Sequence, residues 1–179
     1  MMKALLVIDM QVGSFRPELQ RYDAQGVVRR INSLSNCFRE NGDKVIFIQH
    51  DGTKENNFIP GSFYWNILPA LIQSPEDIIV RKTANDAFYN TDLQAILKEH
   101  GITELYISGC ATDYCVDTTV RSALHKDYTV IVVKDCHTTA DRPHLAAEKV
   151  IQHHNWLWEN MIPTSGSITL ASSKDLLKQ

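Results

Sequence analysis

The chain alternates between two hydrophobic periods. Lys3–Asp9 (KALLVID), Lys44–Gln49 (KVIFIQ), Asp77–Arg81 (DIIVR), Glu104–Ser108 (ELYIS) and Thr129–Val133 (TVIVV) are short, β-branched, near-continuous apolar runs. Such runs suit strands covered on both faces. Between them the spacing turns helical: Val27, Val28, Ile31, Leu34 and Phe38 share one stripe, Leu93, Ile96 and Leu97 another, and Val116, Val120, Ala123 and Leu124 a third. Gly42 and Gly101 stand where the residue just past a helix end belongs, immediately before the next strand. A fourth helix is predicted from Pro143, in its first turn, to about Asn155, followed by a last strand near Ser167–Leu170 and a short C-terminal helix. Strands alternating with helices through short connections predict βαβ crossovers, hence an α/β fold in three layers with a parallel sheet between helices. The stretch from Asp51 to about Asn66 fits neither period and holds Phe58, Phe63, Tyr64 and Trp65. A loop that aromatic is expected to pack over something.

No internal period, low-complexity segment or Pro/Gly/Ser linker divides the chain, so residues 1–179 read as a single domain. Of its 179 residues, 44% are hydrophobic, enough for one real core. The 18 Lys+Arg against 21 Asp+Glu give a formal charge of −3 with no basic run, which argues against a nucleic-acid partner. The longest apolar runs, such as Ala4–Ile8 and Val130–Val133, fall far short of the ~20 residues that span a bilayer. Asp9 also interrupts the first run before it could serve as a signal sequence. The expectation is an unprocessed cytoplasmic protein with no membrane partner. Four cysteines, at positions 37, 110, 115 and 136, are too sparse for a disulfide scaffold and read as cytosolic thiols.

In an open parallel sheet, ligands bind beyond the carboxyl ends of the strands, above all where strand order reverses. Asp9 closes the first strand, Lys82 follows the third, and Gly109-Cys110-Ala111-Thr112-Asp113-Tyr114-Cys115 joins the fourth to its helix. Taken singly, Asp9 is a helix cap or loop ligand, Lys82 a solvated lysine and Cys115 a small buried apolar residue. Together at one sheet edge they make a nucleophilic site. A thiol near a helix N-terminus and an ammonium is expected to favour the thiolate, and a carboxylate within reach can take and return a proton. The Gly-Cys-Ala-Thr turn offers backbone N–H groups near the same sulfur for an oxyanion. Gln11, two residues past Asp9 on an extended chain, is a candidate substrate contact. Trp65, Phe88, Tyr89 and Tyr114 are candidate pocket walls, with core or interface packing as the competing role.

Rival chemistries find less support. His153 and His154 are adjacent, hence ~100° apart on a helix, and cannot share one ion as an i, i+4 pair would. Asp135, His137, Asp141 and His144 form the one cluster that could hold a metal, against loop and cap hydrogen bonding after the fifth strand. Cys110 and Cys115 are not spaced as the C-x-x-C of redox sites. No G-x-G-x-x-G or G-x-x-x-x-G-K-[ST] follows any strand. No metal and no cofactor is therefore expected.

The segments LLVIDMQ, RKTANDAF, SGCATDYCVDTTVRSA, VVKDCHTTAD and IQHHN, in that order along nearly the whole chain, resemble those of the isochorismatase-like cysteine hydrolases. That family includes nicotinamidases, carbamoylsarcosine amidohydrolase, ureidoacrylate and biuret hydrolases, and streptothricin hydrolase. The resemblance implies a Rossmann-like sheet of six parallel strands in the order 3-2-1-4-5-6, with its switch point between the strands ending at Asp9 and Ser108. It implies a catalytic triad of Asp9, Lys82 and Cys115, an oxyanion hole of the Ala111 and Cys115 amides, and a cis peptide at Cys110–Ala111. Isochorismatases proper lack the nucleophilic cysteine, so Cys115 favours C–N hydrolysis over vinyl-ether cleavage. The Asp-x-His of the nicotinamidase metal site is replaced here by Gln49-His50-Asp51-Gly52, and the later segments look most like the streptothricin-hydrolase branch. The implied reaction is hydrolysis of a small amide or ureide through a thioester, by an enzyme that is a homo-oligomer, dimer or tetramer. A vinyl-ether hydrolase and a non-catalytic binding protein on the same fold are the alternatives.

Overall fold

The computed structural model describes residues 2–178. Six strands, β1 (Lys3–Ile8), β2 (Lys44–His50), β3 (Ile78–Lys82), β4 (Glu104–Cys110), β5 (Thr129–Thr138) and β6 (Ile168–Ala171), form one all-parallel sheet in the order 3-2-1-4-5-6. Helices α1 (Ala24–Glu40), α2 (Leu93–Glu99), α3 (Asp117–His125), α4 (Ala147–Glu159) and α5 (Ser173–Leu176) cover it. Alternation along β1 explains the layers. Ala4, Leu6 and Ile8 point into a core shared with α2, α3 and α4, whereas Leu5 and Val7 pack beneath α1 with Ile31, Leu34 and Phe38.

Both glycine stops hold. Gly42 and Gly101 take positive φ (75° and 61°), and each pair of following amides turns back on its helix: Gly42 and Asp43 onto Arg39 and Phe38, Gly101 and Ile102 onto Lys98 and Leu97. Two elements differ from expectation. The fourth helix starts at Ala147 and not at Pro143, because the Asp141 carboxylate accepts the Ala147 N–H at 2.8 Å and reserves residues 139–146 for a loop. The fifth strand does not end at Val133. Its ladder to β4 jumps from Ile107↔Val132 to Gly109↔His137, an irregularity that sets residues 133–136 against Ser108 alone and brings His137 and Thr138 back into the sheet. Asp135 is anchored there by the Ser173 N–H (2.8 Å) and Oγ (2.7 Å), so α5 is pinned to this segment. The Asp51–Asn66 loop packs only in part: Phe58 lies edge-on to His50, while Phe63 is 68% exposed. No helix among the described residues is long and apolar enough to cross a membrane.

Candidate active site

Asp9 leaves β1 in a left-handed conformation (φ 48°). Its backbone is tied on both sides, the N–H to the Ile48 carbonyl at 2.9 Å and the carbonyl to the Gln11 N–H at 2.8 Å and the Cys110 thiol at 3.1 Å. Lys82 ends β3 with a fully buried side chain. An ammonium has three protons, and here three acceptors meet them: Asp9 Oδ2 at 2.7 Å, the Ala84 carbonyl at 2.8 Å and Cys115 Sγ at 3.4 Å. Cys115 sits in a π-turn, Thr112–Val116, that feeds α3 and is closed by the Tyr114 and Val116 amides on the Ala111 carbonyl. The Cys110–Ala111 peptide before that turn is cis. The structure thus brings Asp9, Lys82 and Cys115 together at the switch point between β1 and β4.

Their electrostatics correct one expectation from the sequence. Burial first, then the Asp9 carboxylate, push the Cys115 thiol well above its usual range, and Lys82 only partly offsets them. The ammonium already faces a carboxylate at 2.7 Å, so the sulfur sees a nearly neutral pair and not a free cation. Burial opposes the charge on Lys82, but Asp9 and Cys115 outweigh it and hold its pKa above the ordinary value. Asp9 Oδ1 is buried with no hydrogen-bond donor. The resting site is a protonated thiol beside a carboxylate oxygen that can accept its proton.

The other residues singled out in the sequence are placed differently. Gln11 is fully buried, and its amide is engaged in structure: Nε2 donates to the His50 and Trp65 carbonyls at 3.0 and 2.8 Å, and Oε1 accepts the His50 N–H at 2.8 Å. It clamps β2 to the aromatic loop and does not face a substrate. Trp65 carries the Arg81 guanidinium 4.9 Å over its ring and lines a cleft of about 710 Å³ at the β3 edge whose walls include none of Asp9, Lys82 and Cys115. Phe88 is core, stacked on Tyr128 at 5.8 Å. Tyr114 is 52% exposed beneath Arg142, at 5.0 Å, and Tyr89 is exposed as well. His50 is the register partner of Lys82 on β3; burial and the Lys82 charge lower its pKa, while Asp51 turns away to hold Thr53.

The Asp135, His137, Asp141 and His144 cluster is dispersed. Asp135 holds Ser173, Asp141 caps α4, His144 is exposed, and His137 is buried beneath the nucleophile turn. The His137 tautomer follows from its partners. Asn155 Nδ2 donates to the Lys134 carbonyl at 3.1 Å, which leaves Asn155 Oδ1 to accept from His137 Nε2–H at 2.9 Å. His137 Nδ1 is then the acceptor for the Thr112 hydroxyl at 2.9 Å. A second brace joins the same turn to the loop before α4: Asp113 accepts from Arg142 Nε and Nη2 at 2.7 Å each and from Thr139 Oγ1 at 2.7 Å. Most of the brace residues fall in the segments SGCATDYC, CHTTAD and HHN, but Arg142 lies just past them, and no local pattern pairs any of these residues with one another.

Fold and site together define a Rossmann-like α/β protein whose thiol, ammonium and carboxylate converge where the order of a parallel sheet reverses. The chain belongs to the isochorismatase family, whose domain model matches residues 3–165. It is 33% identical over 141 residues to streptothricin hydrolase of Streptomyces noursei, covering 79% of this chain and 56% of that one. It is 39% identical over 75 residues to ureidoacrylate amidohydrolase RutB of Methylobacterium radiotolerans, covering 42% of this chain and 29% of that one. The chain thus spans about half the length of the streptothricin hydrolases it matches. A crystal structure of an isochorismatase family protein superposes with a TM-score of 0.87 at 35% identity, covering 95% of this chain and 98% of the other.

Proposed function

We propose that this chain is a cysteine hydrolase that cleaves a C–N bond of a small amide or ureide through Asp9, Lys82 and Cys115. The observation that carries the reading is the Lys82 ammonium bonded at once to a buried carboxylate, 2.7 Å, and to a thiol, 3.4 Å. As substrate arrives, Asp9 takes the Cys115 proton and the sulfur attacks the carbonyl carbon. The Ala111 and Cys115 amides, the oxyanion donors by family resemblance, hold the developing charge. Collapse breaks the C–N bond, and the proton on Asp9 passes to the departing amine. Water then gives a proton to Asp9 and attacks the thioester, and that proton returns to the sulfur as the acid leaves. Lys82 orients the carboxylate throughout.

A name that specifies amide hydrolysis among the relatives, RutB, agrees with this choice of bond. The expected result is that Cys115→Ala and Cys115→Ser each lower ammonia release from a panel of small primary amides and ureido acids by at least about 10³-fold. Undiminished turnover by the Ala variant would remove the nucleophile. Vinyl-ether hydrolysis, by contrast, would survive loss of Cys115 but not of Asp9. The proposal extends to a cytoplasmic homo-oligomer, dimer or tetramer, for which the exposed Phe63, Tyr64 and Tyr89 supply apolar surface. Sedimentation equilibrium giving only a 20.3 kDa species would exclude that part.

A further inference from the structure

Cys115 has a further neighbour, which lies in the RKTANDAF segment but is not among the expected site residues. Its Sγ lies 3.5 Å from Oδ1 of Asn85, in the loop between β3 and α2. The Lys82 side of the sulfur is buried, whereas Asn85 is exposed, so its carboxamide stands where a substrate has to arrive. The loop is anchored on each side of it. Ala84 accepts from Lys82 Nζ at 2.8 Å, Asp86 accepts from Ser122 Oγ at 2.9 Å, and the Ala87 N–H donates to Thr119 Oγ1 at 3.2 Å. Thr119 and Ser122 lie on α3, the helix that follows the nucleophile turn. The backbone at Asn85 is therefore tied both to the lysine and to the nucleophile's helix, and the thiol is the one hydrogen-bond partner of its side chain among the described residues.

A carboxamide presents an acceptor and a donor side by side, the complement of another amide. Oδ1 needs a proton opposite it. In the resting site the thiol supplies one; once the sulfur gives its proton to Asp9, that contact is lost and Oδ1, on the exposed side of the sulfur, is free to accept from an arriving substrate. An amide or ureide nitrogen carries such a proton, and an ester oxygen of the same shape carries none. We propose that Asn85 is a specificity-determining residue, exchanging its contact with the thiol for one with a substrate N–H and so selecting amides and ureides over matching esters. This rests on the reading of Cys115 as nucleophile.

The test uses two alkylating probes of similar shape, iodoacetamide and methyl iodoacetate. In both, a Cys115 S–C bond forms, the C–I bond breaks, iodide leaves with the electron pair, and the thiol proton goes through Asp9 to buffer. Labelling at Cys115 is followed by peptide mass mapping, and each rate is divided by that of free cysteine. In the wild type the normalised preference for the amide over the ester is expected to be about tenfold, and to fall to near unity in Asn85→Ala and Asn85→Leu. A purely structural role would change both rates together and leave their ratio alone. An unchanged ratio in both variants overturns the inference. Ammonia release by Cys115→Ala separates the two failures: if that variant is inactive while the ratio stays put, only the role of Asn85 falls, and if it is active, the nucleophile assignment and this inference fall together.

Discussion

Lys82 sets the behaviour of its neighbours because all three of its protons are committed, one of them to a carboxylate at 2.7 Å. The pairing keeps a buried cation charged and leaves the thiol protonated at rest, so the proton must move during attack. Asp9→Asn tests this ordering, since it deletes the charge that, after burial, raises the thiol and leaves Lys82 facing sulfur. Iodoacetamide labelling of Cys115 near pH 8 should become faster, while amide hydrolysis falls by about 10²–10⁴-fold for want of a base; slower labelling would show that the thiol does not feel Asp9. His137 gives a pH prediction. Burial lowers its pKa to about 4, with Asn155 working weakly in the other direction. The folded ring stays neutral below the ordinary 6.5, where the unfolded chain takes up a proton. Stability therefore rises with pH across that window and is lost as pH falls from 6.5 to about 4, by up to about 3 kcal/mol. Urea unfolding at pH 7 and pH 4.5 should show a smaller loss in His137→Gln than in the wild type, and equal losses would contradict the assignment.

The nucleophile turn depends on where β4 ends. Gly109 there has a φ of 118°, and a Cβ at that position would run into the Ile8 backbone of β1. Gly109→Ala is expected to destabilise the fold by about 3 kcal/mol or more, measured by urea denaturation, because both the backbone angle and the strand spacing exclude the methyl. A loss within about 0.5 kcal/mol would mean the strand ends can part without cost. At this scale the helix stops after α1 and α2 were legible, because a glycine before a strand has one local meaning. The stop after α3 carried no such mark. Asp127 takes the left-handed position there (φ 65°), which an aspartate tolerates but does not announce. The irregularity in β5 was hidden for a different reason. Lys134 and Asp135 look like a strand end, and their partners are distant in the chain: Asn155 for the Lys134 carbonyl, and Arg30 and Ser173, 105 and 38 residues away, for Asp135.

Across the whole molecule the four cysteines report different depths. Cys110 and Cys136 are at most 1% exposed in the core beneath α1, whereas Cys37 and Cys115 are half-buried. Iodoacetamide should label Cys37 and Cys115 in the native protein, and Cys110 and Cys136 together at a rate that rises with urea as the fold opens. Separate rates for the buried two would show that part of this core opens by itself. What the sequence by itself determined was the architecture and the chemical types at the sheet edge: strand and helix periods are local, and a parallel sheet delivers the residues at its strand ends to one place. Tertiary structure alone decided which of those residues could act. It turned Gln11 into a clamp, put Trp65 on another cleft, buried Phe88, raised the thiol and set Asn85 against it. Each of those outcomes depends on a contact between residues far apart in the chain and on the dielectric around it, and neither is written in any one segment.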